Sequence, residues 1–379
     1  MLKHILRCPL LPLITSMILV LSMLAGCGPS IGDLEAVDYT PLLRDDWEAS
    51  TPEAEGLDPM LVAEMYYNAA ELETIYSLLV IKNGYLIAES YFNEGSVEQK
   101  ARLQSVTKSY TSALVGIALE QGCLSSVDQK MVDFFPELVD QITDPRKKQI
   151  TIQDMLQMRA GYPWEESTPE LFEMLYHGFR PSLLVEVPLV SDPGTQFEYS
   201  NLTSHLVGVI VARACETSLR SFAQKNLFAP LDVEMGDWIR DWEGYYNGHA
   251  DLHFTARDMA KFGLLYLNDG EYQGNQLVAA DWVRVSLQTY SEDAWKYSVG
   301  RNFRDIGYGY QWWSVRAGDH RYNLAWGHGG QQIVLLEEFN MVIVVTADPL
   351  FAQHGGGPWS HEKANLNLVA DFINSLPSE

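Results

Sequence analysis

Basic residues are scarce in this chain: 26 lysines and arginines stand against 50 aspartates and glutamates, a formal charge of −24. No Lys/Arg stripe is present to neutralise phosphates, which excludes a nucleic-acid surface. The acidic excess favours solubility and carries no information about fold. Long apolar runs are equally scarce, with a single stretch from Pro9 to Leu24, short for a membrane span. The Walker A loop and the dinucleotide fingerprint are both missing. His361 begins "HEKAN", which lacks the second histidine of a zincin, and no third ligand of suitable spacing joins His354 and His361. No metal and no cofactor are therefore expected. Cysteine is limited to four residues.

Lys3 and Arg7 precede the apolar stretch, which ends in "LAGC", Leu24 to Cys27. This pattern resembles the lipobox of bacterial lipoprotein signals. It implies a signal over 1–26, lipidation of Cys27 and an extracytoplasmic protein anchored to a bacterial membrane. Residues 27–50 are polar, Pro-punctuated and aperiodic, and read as a tether. Cys8 would be lost with the signal. Cys123 and Cys215 fall in helical-looking segments and read as two buried free thiols rather than a disulfide.

The domain proper is read over 51–375. A helix is expected from near Asp58, followed by "SLLVIKNGYLIAESYF", two β-rich runs joined by Asn83-Gly84, the preferred pair for a two-residue hairpin. From Ser105 to about Leu267 the periodicity is helical, with Asn201 and Thr255 at plausible N-caps. Beyond Gly307 β-rich runs return, and a last helix covers about 361–375. Strands at both ends with helices between them imply an α/β (α+β) fold. Its antiparallel sheet is built from N- and C-terminal strands, flanked by helices, with an inserted, mostly helical region. The sheet part is placed at about 51–104 and 285–375, the helical part at about 105–284.

Within "LQSVTKSYTSALVGIALEQG", 103–122, Ser105 and Lys108 stand three apart at the mouth of what reads as an amphipathic helix. Residues i and i+3 are neighbours on a helix surface, so Lys108 can reach the Ser105 hydroxyl, which needs a base to become a nucleophile. The spacing alone is ambiguous. Ser360 and Lys363 repeat it at the start of the last helix, where an N-cap and a solvated lysine suffice.

Two further patterns follow in order: Tyr199 and Asn201 where a loop enters a helix, and His328, Gly329 and Gly330 at the mouth of a β-run. Tyr-x-Asn also occurs at Tyr66, Tyr91, Tyr245 and Tyr266, and His-Gly-Gly at His354, but these are out of order, late in a helix or in loops.

Taken in order, Ser-x-x-Lys, Tyr-x-Asn and His-Gly-Gly resemble the serine β-lactamase and penicillin-binding-protein superfamily. The nearest branch is that of class C β-lactamases, related esterases and 6-aminohexanoate-dimer hydrolases. The resemblance covers most of 50–375 and implies the β-lactamase/transpeptidase-like fold and an acyl-enzyme on Ser105. Lys108 would act as a neutral base, or remain charged and depress the pKa of Tyr199; the sequence leaves both open. Asn201 would orient Lys108 and bind a substrate amide. The oxyanion would rest between the backbone N–H groups of Ser105 and Gln331, with Gly329 and Gly330 keeping that strand edge clear.

His328 stands where many relatives carry lysine. A partly protonated imidazole anchors a carboxylate weakly, which favours small esters or amides. The alternatives are a β-lactamase or D,D-peptidase, and a penicillin-binding sensor with little turnover. The acidic base loop and Ser-Asp-Asn of class A enzymes are not recognised in the sequence, which implies deacylation through the Tyr/Lys group. Tyr162, Trp164, Trp312 and Trp313 are candidates for the cleft wall. Expected partners are a small ester or amide and the membrane, through Cys27.

Overall fold

The computed structural model describes residues 28–350 and 358–378. The signal segment, Cys27 and His354 lie outside the described residues. Among those described, no helix is long and apolar enough to cross a membrane.

Seven strands form one sheet: β1 (Ile75–Lys82), β2 (Tyr85–Tyr91), β3 (Arg304–Tyr308), β4 (Trp313–Ala317), β5 (His320–Gly327), β6 (Gln331–Leu336) and β7 (Met341–Ala347). Their order is β2-β1-β7-β6-β5-β4-β3, with every neighbouring pair antiparallel. The N-terminal hairpin thus docks on the last strand, with Leu79 opposite Val344. The hairpin turn is the one expected. Asn83 and Gly84 have φ of +54° and +87°, the double left-handed conformation that a type I′ turn requires. The C-terminal β region begins slightly earlier than expected, at Arg304.

Both faces of the sheet are covered, so alternate residues of one strand enter different cores. Leu79, Ile81, Ile333, Leu335, Val342 and Val344 pack against the helical region. Leu78, Val80, Val334, Ile343 and Val345 pack beneath α1 (Pro59–Ala70) and α5 (Pro358–Asn374). This explains why β1, β6 and β7 read as continuous apolar runs. Asp58 caps α1, its side chain accepting from Met60 N at 2.8 Å.

Three helices of the inserted region matter for the site: α2 (Thr107–Glu120), α3 (Asn201–Ala214) and α4 (Ala256–Leu267). Thr255 caps α4 as expected. α2 departs from the amphipathic reading, since every residue from Thr107 to Ala118 is buried. Two of its hydroxyls find buried carbonyls: Ser109 Oγ donates to Gln311 O at 2.8 Å and Thr111 Oγ1 to Gly248 O at 2.7 Å. Those bonds allow a helix of mixed composition to run through the core.

The two cysteines correct another expectation. Cys123 and Cys215 lie just beyond the C-terminal ends of α2 and α3 and form a disulfide, with Cα atoms 5.0 Å apart across a separation of 92 residues. α2 and α3 pack side by side, and their ends bring the thiols together.

Candidate active site

Ser105 sits in a 3₁₀ turn, Gln104–Val106, that leads into α2. This differs from the first α-helical turn expected of it. Gln104 has φ of +51°, unusual for a residue with a Cβ, and such strain concentrates at functional turns. The turn packs against β5 and β6. A Cβ on Gly327 would lie 2.3 Å from Leu103 O, so a glycine is needed there to let strand and turn approach.

Lys108, one residue into α2, is 2 % exposed. Its Nζ lies 2.8 Å from Ser105 Oγ, 2.8 Å from Asn201 Oδ1 and 3.0 Å from His249 O. A neutral amine has two N–H donors and one lone pair. With the N–H groups given to Asn201 and His249, the lone pair is left facing the Ser105 hydroxyl. Burial lowers the Lys108 pKa to about 7, against the opposing pull of Glu165, Glu166 and Asp251. A shift of that size corresponds to about 5 kcal/mol against the charged form.

Tyr199 completes the cluster. Its ring lies 4.9 Å from Lys108 Nζ, its phenol hydrogen-bonds Ser105, and it stacks on Trp313 at 5.6 Å. Burial raises its pKa, outweighing the Ser105 bond, and Glu166, Glu165 and Glu362 push it the same way. The phenol is therefore protonated near neutrality. Between the two bases that the sequence left open, the electrostatics favour Lys108.

Asn201 is buried and reaches Lys108, but it does not cap α3. The cap is Ser200, whose Oγ accepts from Thr203 N at 3.1 Å, leaving the Asn201 side chain for the lysine. Glu165 reinforces that corner, accepting from Ser200 Oγ, Asn201 N and Leu202 N, each at 2.8 Å. Despite those bonds its pKa is raised, because it is buried. Sequence reasoning missed Glu165. It lies in the "GYPWEESTPELF" loop, and nothing in its spacing marks it.

His328 stands on the same cleft as Ser105 and Tyr199. Its Nδ1 lies 3.1 Å from Glu362 Oε2. Burial works against charging the ring, but the hydrogen bond with Glu362 and the charges of Glu362 and Glu166 prevail, so its pKa is raised. Glu362 also accepts from Trp326 Nε1 at 2.8 Å and Gly329 N at 3.0 Å. It too was missed, although it lies in "HEKAN", one residue after His361.

Gly329 and Gly330 are demanded by backbone conformation and by packing. Both have positive φ, +84° and +90°, in the β5–β6 turn, and added Cβ atoms would meet Pro349 at 2.9 Å and Asn365 at 2.6 Å. They pack toward α5 and the segment after β7. Gln331 opens β6, with its side chain tied to Ala347: Nε2 donates to Ala347 O at 2.6 Å, and Oε1 accepts from Ala347 N at 3.0 Å.

The cleft, about 80 Å³, is lined by Ser105, Tyr199, His328, Glu166, Glu362 and four tryptophans, Trp164, Trp295, Trp313 and Trp326. Of the four aromatic candidates, Trp164 and Trp313 line it, whereas Tyr162 and Trp312 are core residues. Tyr245, the rival for the Tyr-x-Asn role, is held elsewhere, its hydroxyl accepting from Arg213 Nε at 3.0 Å. Ser360 lies inside the first turn of α5, which begins at Pro358, and so is not its cap. Among the described residues no cluster of His, Cys, Asp or Glu is arranged to hold a metal ion.

An antiparallel sheet joining both chain ends, with a Ser-x-x-Lys turn between it and a helical insert, defines the β-lactamase/penicillin-binding-protein type of serine hydrolase fold. The chain belongs to the Beta-lactamase family, whose model matches residues 76–352. It is 26% identical over 285 residues to the 6-aminohexanoate-dimer hydrolase of Paenarthrobacter ureafaciens, covering 71% of each chain. In fold it is similar to a putative 6-aminohexanoate-dimer hydrolase from Bacillus anthracis (TM-score 0.65, 21% identity, 90% of this chain and 89% of that one). It is also similar to an octameric penicillin-binding protein homologue from Pyrococcus abyssi (TM-score 0.63, 19% identity, 82% and 77%).

Proposed function

We propose that this protein is an extracytoplasmic serine hydrolase that forms an acyl-enzyme on Ser105 and hydrolyses small esters or amides. The observation that carries the reading is the buried Lys108 amine, 2.8 Å from Ser105 Oγ, with its pKa lowered to about 7. Neutral Lys108 takes the Oγ proton as Oγ attacks the carbonyl carbon. The protonated Tyr199 phenol, bonded to Ser105, delivers a proton to the departing alkoxide or amine as its bond to the acyl carbon breaks. Tyr199 is then reprotonated from Lys108. The N–H groups of Ser105 and Gln331 hold the oxyanion. In the second half a water enters in place of the leaving group and gives a proton to the same Lys108–Tyr199 pair as its oxygen bonds to the acyl carbon; the pair returns that proton to Ser105 Oγ as the Oγ–acyl bond breaks and frees the acid. Asn201 keeps the amine aimed and takes a substrate amide.

Esters and non-lactam amides are favoured over β-lactams and D-alanyl peptides by the charge of the cleft. Among the described residues that line it, His328 alone can carry positive charge, and Glu362 is already bound to it. None of the described lining residues is left as an unpaired cation to receive a substrate carboxylate. The relative from Paenarthrobacter is named a 6-aminohexanoate-dimer hydrolase, which fits a substrate other than a β-lactam.

The Cys123–Cys215 disulfide suits an oxidising compartment, in keeping with the signal over 1–26, lipidation of Cys27 and the 27–50 tether. Ser105→Ala should lower turnover of p-nitrophenyl butyrate by at least ~10³-fold with little change in melting temperature. Retained turnover would refute the assignment. Nitrocefin and a fluorescent penicillin, followed by mass spectrometry over time, test the other readings: a β-lactamase opens nitrocefin, and a sensor keeps its label.

A further inference from the structure

We infer that His205 is a positioning residue for Lys108: through Asp241 it fixes the loop 238–252, whose His249 carbonyl takes one N–H of the lysine amine. The inference rests on the hydrolase reading only for the task given to that amine.

Among the described residues Lys108 Nζ has two acceptors besides Ser105, and one helix controls both. Asn201 opens α3 and bonds Nζ directly. His205 and Gly208 follow four and seven residues on, along the same face of the helix. That face lies against the loop carrying the second acceptor. A Cβ on Gly208 would come within 2.9 Å of Gly248 Cα, and one on Gly248 within 2.7 Å of Ser204 O. Glycine is a poor residue for a helix interior; at 208 the close crossing of helix and loop requires it.

The returning limb of the loop runs beside α2 and delivers carbonyls to it and to the turn before it. Gly248 O accepts from Thr111 Oγ1 at 2.7 Å, His249 O from Lys108 Nζ at 3.0 Å and Leu252 O from Leu103 N at 2.9 Å. Any slip of this limb along α2 therefore moves the acceptor of the amine.

The device that pins the limb is a buried pair at the loop's far end. Asp241 Oδ1 accepts from Glu243 N and Tyr245 N, each at 2.9 Å, and so closes the turn. Its Oδ2 accepts from His205 Nε2 at 2.8 Å, and both side chains are wholly buried. Packed apolar groups often stabilise a core as well as such a pair does, and the best-attested use of a buried pair is to fix register. The His249 ring is wedged beside it, 4.7 Å from Phe179 and 5.9 Å from His205. Burial first, then the charge of Lys108, holds its pKa well below the ordinary value. The carboxylates felt by Lys108 are Glu165, Glu166 and Asp251, and the basic groups felt by His249 are Lys108, His205 and Arg102. Removing His205 takes away none of those carboxylates, so a change in the lysine's titration reports on the carbonyl.

The test compares His205→Leu, which removes the donor to Asp241, with His205→Gln, which supplies another. Gly248→Ala displaces the limb without touching His205. Folding of each variant is checked by thermal melting, and fluorophosphonate labelling of Ser105 is followed from pH 5 to 9. A charged amine gains more from a carbonyl than a neutral one does, so loss of His249 O should lower the midpoint. In His205→Leu and Gly248→Ala it should fall by at least about half a pH unit, and the plateau rate by about 10- to 100-fold. His205→Gln should restore both.

Wild-type midpoint and plateau in folded His205→Leu or Gly248→Ala would overturn the inference and leave the hydrolase reading intact. Equal losses in His205→Gln and His205→Leu overturn it too, since the donor would then be immaterial. A wild-type protein that never labels on Ser105 sinks the hydrolase reading instead. The lysine's titration is then read without chemistry, from the pH dependence of stability of each protein against its Lys108→Met counterpart. There a shift in His205→Leu upholds the positioning role, and an unmoved titration ends it.

Discussion

The chain writes Ser-x-x-Lys twice, and the two copies differ in everything except spacing. At 105–108 the lysine is buried, its amine surrounded by Ser105, Asn201 and His249, and its pKa falls to about 7. At 360–363 the pair lies in the first turn of α5, with Lys363 partly exposed on a helix that covers the sheet. The lesson is that three residues of separation supply only proximity. Reactivity comes from the surroundings: a strained turn that presents the hydroxyl, a core that withholds water from the amine, and acceptors for the amine's two N–H groups.

The largest expected effect follows from removing the buried amine. Lys108→Met should lower kcat/KM for p-nitrophenyl butyrate by ~10²–10⁴-fold. The same change at Lys363 should leave it unaltered, and equal losses at both positions would dissolve the contrast.

Next in size is a linkage between pH and stability. The folded Lys108 pKa, about 7, lies below its unfolded value near ~10.4. Between those values the unfolded chain binds the extra proton, so stability attributable to this residue rises with pH. Chemical denaturation of the wild type against Lys108→Met should show the wild type gaining by up to ~1.4 kcal/mol per pH unit above about pH 7. A difference that is flat from pH 7 to 10 would mean that the amine is not desolvated.

Glu165→Gln sharpens the contrast through the helix start that holds Asn201 against Lys108. One carboxylate holding three donors is replaced by a group with one acceptor oxygen, which should cost ~1–3 kcal/mol of stability. Glu165 also holds the Lys108 pKa up, so the midpoint of the pH–rate profile should move to lower pH. A loss of stability with an unmoved midpoint would reduce Glu165 to a cap for α3. The smallest effect is expected at the other copy: Ser360→Ala should stay within ~0.5 kcal/mol of wild type and leave kcat/KM unchanged.

Much of this was legible in the sequence, for reasons that can be named. Asn83-Gly84 marks a hairpin because few residues accept two consecutive left-handed conformations. The order of Ser105, Tyr199 and His328 was readable because it recurs across a superfamily. The failures share a cause as well. Glu165 and Glu362 act through contacts made by loops and helix ends far apart in the chain, and no local pattern encodes such contacts. Cys123 and Cys215 looked helical and unpaired, because only the side-by-side packing of α2 and α3 brings their ends together. α2 looked amphipathic because hydroxyls stand among its apolar residues, and nothing local shows that Ser109 and Thr111 bond buried carbonyls.

The rate at which a fluorophosphonate labels the protein, measured from pH 5 to 9 with the modified residue located by peptide mass spectrometry, bears most directly on the Ser105–Lys108 pair. The label should fall on Ser105, with a rate that rises through a single midpoint near 7 and then levels off, as the fraction of neutral amine does. A label on another residue, or a rate on Ser105 indifferent to pH across that range, would contradict a lysine base and leave the buried amine without a chemical task.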